Sequence, residues 1–270
     1  MTVDAPYREL AAAPLHRAVT RDGPVSLEVG PEHVRLELGA RIRLTVAGCA
    51  ATLVRRRSGG DRRSELALDG HRLWLARSFP TRDLALWYEP RPGRVERLAG
   101  VRPMAPFEKD ALGAWHALDR VAEELGRALA PHAGGALEVV ELGRGHHRVL
   151  LVELADRLVA YARPLFREQP RRALEVCRDG SLVLAGRRRD RRAQFESRAG
   201  VTVSGDRVCF SGSDGRECAS LWLPWVALED RQELARRFGE LAFPAPPEPD
   251  YEPRTEPRAW VSGLDRKSVV

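Results

Sequence analysis

The sequence predicts a mainly β (α+β) fold: two related seven-stranded barrels, each closed by a C-terminal amphipathic helix. Three observations predict it. Apolar and polar residues alternate with period two through most of both halves, the pattern of half-buried strands. Each strand-rich half ends in one stretch of three- and four-residue apolar spacing, the pattern of a helix with one buried face. A segment late in each half also recurs. Gly205–Trp225 (GDRVCFSGSDGRECASLWLPW), set without a gap against Gly70–Pro90 (GHRLWLARSFPTRDLALWYEP), aligns Gly70/Gly205, Arg72/Arg207, Ser78/Ser213, Leu86/Leu221 and Trp87/Trp222.

Residues 1–24 read as a lead segment. Seven strands follow at Val25–Val29, Val34–Leu38, Ile42–Val46, Thr52–Arg55, Glu65–Leu68, Arg72–Ala76 and Leu84–Tyr88. Turn formers such as Gly30-Pro31, Ser58-Gly59-Gly60-Asp61 and Asp69-Gly70 separate them. A Pro/Gly/Arg stretch, Pro90–Pro106, leads into a helix. Phe107, Ala111, Leu112, Trp115, Leu118, Val121, Ala122, Leu125 and Leu129 form its stripe. Glu108 and Asp110 fall in its first turn, where the helix dipole favours acids, and Pro131 marks its stop. The first barrel-plus-helix unit therefore spans 25–131.

Pro131–Gly135 reads as a boundary, and the second unit spans 136–243. Its strands are Arg148–Leu154, Leu158–Arg163, Ala173–Val176, Leu182–Ala185, Gly200–Ser204, Arg207–Ser211 and Ala219–Leu223, with Leu137–Leu142 as an additional lead strand. A helix from Leu228 to Ala242 places Leu228, Leu234, Ala235, Phe238 and Leu241 on one face. Between the fourth and fifth strands the first half carries Arg55, Arg56, Arg57, Arg62 and Arg63. The second half carries Arg187, Arg188, Arg189, Arg191 and Arg192 at the same place. Strand count, basic-loop position, the Leu-Trp strand and the closing helix thus agree, and agreement across levels supports an internal duplication better than five identities do. From Pro244 the chain becomes a Pro-rich linker, PAPPEPDYEPRTEPR, and ends in a tail whose Trp260 and Leu264 are candidates for docking on a partner.

Seven strands closed by one C-terminal helix resembles the pleckstrin-homology-like (PH-like) barrel, in tandem over about Val25–Ala242. The resemblance is one of element order. It implies a binding or scaffolding module for peptides, partner proteins or phospholipid headgroups. Phosphoinositide-binding members carry basic residues in the first hairpin, whereas the turns read here as first hairpins are Gly30-Pro31-Glu32-His33 and Ala155-Asp156.

At 270 residues with 43% hydrophobic content the chain is long enough for real cores. No run approaches the 18 or so apolar residues of a spanning helix. Asp4 and Glu9 stand where a signal peptide would be basic and apolar, so a cytoplasmic location is expected. Net charge is +6, and every basic residue except Lys109 and Lys267 is arginine, the skew that a GC-rich coding bias gives. Cys49, Cys177 and Cys209 fall in apolar strand-like runs and read as buried thiols. Cys209 and Cys218 flank a turn where a disulfide would be conceivable in a less reducing compartment.

No catalytic, cofactor or metal motif is present: the sequence has no GxSxG, no GxxxxGK[ST] and no HExxH. His146-His147 is the one histidine pair, and a metal there would need Glu141 or Glu153 brought to it. The two arginine loops are the binding candidates, because several guanidinium groups at a hairpin tip converge on phosphate or carboxylate. The expected function is a non-enzymatic adaptor or scaffold. Its partner is an acidic protein or an anionic membrane surface, reached through these loops and the tail. Nucleic-acid binding by the same loops is the alternative, ranked lower because no aromatics interleave with the arginines. An enzyme with a site near His146-His147 is the third reading. Trp74, Trp87, Trp115 and Trp222 fall on apolar faces and read as core.

Overall fold

The computed structural model describes residues 15–79, 81–143, 148–163, 169–186 and 189–244. The first half holds a six-stranded antiparallel meander: β1 (Leu15–Thr20), β2 (Gly23–Val29), β3 (Val34–Leu38), β4 (Ile42–Ala47), β5 (Ala50–Arg57) and β6 (Gly60–Ala67). A second meander follows, β7 (Arg72–Phe79), β8 (Leu84–Arg91) and β9 (Arg94–Val101), and then α1 (Ala111–Leu129). The second half gives six more meandering strands: β10 (Glu138–Leu142), β11 (Val149–Glu153), β12 (Arg157–Ala162), β13 (Arg171–Cys177), β14 (Ser181–Leu184) and β15 (Arg191–Gln194). Then come the three-stranded sheet β16 (Val201–Ser204), β17 (Arg207–Ser211) and β18 (Glu217–Trp222), and finally α2 (Leu228–Ala242). Six strands, three strands and a helix occur in that order twice.

The closed barrel belongs to neither half alone. Strands β7, β8, β9, β13, β12, β11 and β10 pair in sequence and return to β7, a ring of seven that draws three strands from the first half and four from the second. Neighbours in a ring of seven cannot all alternate in direction, so one contact must be parallel. That contact is β10 on β7, with Val140 opposite Arg77, Glu141 opposite Ser78 and Leu142 opposite Phe79. The expectation of a separate closed barrel in each half is therefore corrected: the closed ring joins the halves.

Because side chains alternate across a strand, each ring strand serves two cores. Leu73, Leu84, Leu86 and Leu98 face outward onto the β1–β6 sheet and α1, in a core drawn from residues 18–129. Leu142, Leu151, Leu158, Leu174 and Val176 face outward on the other side, onto β16–β18 and α2, in a core drawn from residues 140–243. Trp74, Trp87, Val95, Leu150, Val152, Val159 and Tyr161 point inward and fill the ring.

Among the described residues each half has nine strands, where the sequence suggested seven, or eight in the second half with the lead strand Leu137–Leu142, and the difference has physical reasons. Leu15–Thr20, placed in the lead segment, is an edge strand. Its turn is tied down by Asp22, which accepts hydrogen bonds from the Arg102 backbone N–H (2.7 Å) and guanidinium (2.7 Å). That guanidinium bond, aided by the backbone N–H, holds the Asp22 carboxyl below its ordinary value. The stretch Pro90–Pro106 contains β9, whose Gly93 turn and proline flanks disguised it. β15 lies inside the second arginine run and has little apolar patterning to reveal it. Helix α1 begins after Asp110, so Glu108 and Asp110 precede its first turn, and Phe107 and Leu112 are exposed.

The gapless match is also out of step with the fold. It sets β7–β8 against β17–β18, whereas the element order places β7, β8 and β9 against β16, β17 and β18. The arginine loops do keep step, each joining the fifth and sixth strands of its meander.

Candidate functional site

The β5–β6 hairpin is the exposed basic feature. Its register sets Arg55 opposite Arg62, Arg56 opposite Asp61 and Arg57 opposite Gly60. Gly60 takes φ +114°, a conformation open to glycine, and closes the two-residue turn. Arg55 is half-buried and donates from its guanidinium to the Leu98 carbonyl (3.1 Å), anchoring the hairpin base to β9. Arg63 donates to Glu65 (2.6 Å). Arg56, Arg57 and Arg62 are exposed, and the Arg41 carbonyl beside them accepts from the Arg56 N–H (2.7 Å). Among the described residues none of Arg41, Arg56, Arg57 or Arg62 lies within ion-pair distance of a carboxylate. Other arginines are matched, such as Arg43 to Glu37 (2.8 Å), Arg77 to Asp119 (2.7 Å) and Arg237 to Glu138 (2.7 Å). Like charges facing across an antiparallel pair are destabilising, so this tip keeps its charge at a cost.

In the second loop Arg189, Arg191 and Arg192 are exposed, while Arg187 and Arg188 lie outside the described residues. Asp190 pins that loop by accepting from Arg172 (2.6 Å). Trp260, Leu264 and His146-His147 also lie outside the described residues. The two carboxylates weighed for a metal site with the histidines stand apart. Glu141 points into the ring, whereas Glu153 follows Val149 and Leu151 on the outer face and lies 3.9 Å from Arg178. Among the described residues no three His, Cys, Asp or Glu side chains converge as a metal site would need. The cysteines there are free. Cys49 sits exposed in the β4–β5 turn, contrary to the buried reading, because Ala47 pairs with Ala50 and leaves Gly48-Cys49 as the loop. Cys209 is buried, opposite Ser220 rather than Cys218. No helix among the described residues is long and apolar enough to cross a membrane.

The interior of the ring holds a polar cluster that sequence reasoning missed. Glu141 is 1% exposed. Its Oε1 accepts from Ser78 Oγ (3.1 Å), and its Oε2 accepts from Trp87 Nε1 (2.8 Å) and Arg97 Nε (2.9 Å). Arg148 Nε lies 2.8 Å from Oε1, at an angle outside hydrogen-bond geometry. Burial lowers the Arg148 pKa, with the Glu141 charge acting against it, and burial raises that of neighbouring Asp83. Arg97 folds over Gly100, where an added Cβ would lie 2.0 Å from its guanidinium. Ser78, Trp87 and Arg97 come from the first half and Glu141 from the second, so this carboxylate fastens one half to the other. A signal was present in the sequence: a lone Glu inside the apolar run Val139-Val140-Glu141-Leu142.

A second bridge joins the halves at Tyr161 and Glu89. Tyr161 donates from its hydroxyl to buried Glu89 (3.1 Å), which also accepts from the Gly93 N–H (2.8 Å). Burial, reinforced by the Glu89 charge, pushes the Tyr161 phenol well above its ordinary value. A raised pKa contributes stability that is present below the unfolded-state value of about 10 and lost as pH climbs toward the folded-state value. Stability should therefore fall above pH ~10 by as much as ~1.4 kcal/mol per pH unit from this group. Tyr161→Phe should remove that slope while costing about 1 kcal/mol at neutral pH. Urea unfolding across an alkaline series would measure both, and an unchanged slope in the variant would sink the assignment.

The tryptophans divide. Trp74 and Trp87 are buried as expected, and Trp115 donates to the Met104 carbonyl (2.7 Å). Trp222 is not core: it is 51% exposed, as an outward residue at the end of an edge strand, and Trp225 is 63% exposed. No protein-family model and no curated protein matches this chain.

Proposed function

We propose that the protein is a non-enzymatic adaptor or scaffold that engages an acidic protein surface through the β5–β6 arginine hairpin. The observation that carries this reading is the tip itself. Arg41, Arg56, Arg57 and Arg62 gather there without carboxylate partners among the described residues, whereas Arg43 on the neighbouring β4 is paired with Glu37. A carboxylate-rich partner would supply the missing counter-charges in bidentate form and relieve the Arg55/Arg62 juxtaposition. The anchoring bond from Arg55 to Leu98 makes the hairpin base a fixed platform.

We also read the halves as copies of one unit of six strands, three strands and a helix. The shared element order and the matching place of the arginine loops support this. A PH-like kinship rests on a sheet sandwich with a helix following its last strand, and departs from the seven-strand plan by two strands per half.

The binding reading is tested with a fluorescent oligo-glutamate peptide and the triple variant Arg56→Ser/Arg57→Ser/Arg62→Ser. Affinity at 0.15 M salt should fall about tenfold in the variant, three exposed pairs at a fraction of a kcal/mol to 1 kcal/mol each. It should weaken further as salt rises, because exposed charges are screened. Equal affinities for variant and parent would reject the hairpin. Tighter binding of single-stranded DNA of matched charge, lost in the same variant, would assign the hairpin to nucleic acid instead.

A further inference from the structure

The first half shows what becomes of the leading edge of a three-stranded sheet in this fold. The chain leaves α1 at Leu129, turns through eight residues and returns as β10, which adds in parallel to the free edge of β7. In the second half β16 occupies the place of β7, and the described chain leaves α2 at Ala242 in the same way. Among the described residues no strand covers the outer edge of β16. Ser204 and Arg207 close a two-residue hairpin, so Thr202 and Ser204 direct their backbone groups toward β17. That leaves the Val203 N–H and the Val201 and Val203 carbonyls facing outward, while the Val201 N–H turns back to the Arg198 carbonyl. A groove runs along this edge beside α2, lined by Val201, Thr202, Val203, Gln232, Ala235 and Arg236.

We infer that the chain's own C-terminal segment Arg258–Ser262 adds to β16 as a parallel strand, repeating what β10 does on β7. Composition selects the segment. From Pro244 to Pro257 the recurring prolines lack the N–H a ladder needs, and Arg258-Ala259-Trp260-Val261-Ser262 is the first proline-free stretch beyond them that contains strand-forming residues. Reach is ample: fifteen linking residues, 243–257, span up to about 45 Å in extended polyproline form, against about 22 Å for the whole of α2. Tethering sets an effective concentration of order millimolar, so an intrinsic affinity near 0.1 mM leaves the edge about nine-tenths covered. Covering it also removes a template on which other chains would pair. This inference rests on the observed order of elements and is independent of the arginine hairpin.

Hydrogen exchange on the full chain tests it, comparing the parent with Trp260→Pro/Val261→Pro. The substitutions change none of the described residues of the two helix-capped cores, so an unchanged melting temperature of those cores serves as the folding control. In the parent, the amides of Val203 and of residues 258, 259 and 262 should exchange about tenfold more slowly than in the variant. Free-peptide exchange rates throughout 258–262 in the parent, or identical β16 rates in both proteins, would overturn the proposal. Protection that disappears on dilution would also overturn it, by assigning the strand to a second copy of the chain.

Discussion

Glu141→Ala will lower the free energy of unfolding by about 3–5 kcal/mol, the cost of stranding buried charge when one partner is removed. The substitution leaves Trp87 Nε1 and the Arg97 Nε without their acceptor, and Arg148 without its counter-charge, beside the buried Trp74 and Trp87. Glu141→Gln should cost less, about 2–3 kcal/mol, since a neutral oxygen can still accept from Trp87 and Ser78 while the guanidinium charges go unanswered. Urea denaturation reads the effect as a lower midpoint with an unchanged slope. A loss below 1 kcal/mol for the alanine variant would mean that the cluster is ornamental to folding. Because the carboxylate bridges the halves, the loss should appear in a single transition of the whole chain.

Separated halves, 1–134 and 135–270, will not behave as two independent domains. The cut falls between Gly134 and Gly135, both at positive φ in the connector before β10. It opens the ring at β10–β7 and β13–β9 and lays bare the inward faces of both halves. Eight bulky side chains fill that ring: Trp74, Trp87, Val95, Leu150, Val152, Leu154, Val159 and Tyr161. At about 1.5–3 kcal/mol each, their burial is of order 12–24 kcal/mol, as large as the 5–15 kcal/mol that keeps a typical protein folded. Each fragment alone should therefore lack a cooperative transition and expose sticky apolar surface. Mixing them should restore one transition and a 1:1 complex in size-exclusion chromatography. Cooperative unfolding of either fragment as a soluble monomer would contradict this.

Much of the local structure was legible in the chain. The strand at Val34–Leu38 and the helix at Leu228–Ala242 sit where the pattern placed them, because half-buried surfaces force alternation and a single buried helix face forces the 3.6 period. What alternation could not reveal were strands whose pattern is interrupted or masked by their surroundings. β1 lies at the edge of its sheet, β9 is framed by Pro92, Gly93 and Pro103, and β15 is written in arginine. The candidate arginines were also legible as a group, but their separate states were not. Arg55 is spent on the Leu98 carbonyl and Arg63 on Glu65, leaving Arg56, Arg57 and Arg62 presented to solvent.

The opening repeat illustrates the limit from the other side. Trp87 and Trp222 align in the sequence, yet one is sealed inside the ring and the other is half exposed at a sheet edge. Sequence similarity between strands reports their shared pleat; their neighbours report their fate.

By itself, then, the sequence determined the mainly β character, both helices, the places of the arginine loops and the change to a proline-rich tail, all of which follow from short-range periodicity and turn chemistry. The tertiary structure alone decided which strands close on which. Pairing β10 with β7 in parallel is a contact across some sixty residues with no local signature. Seven strands cannot close without one such contact, and once it forms, the inward faces of two halves become a single core with Glu141 fixed at its centre.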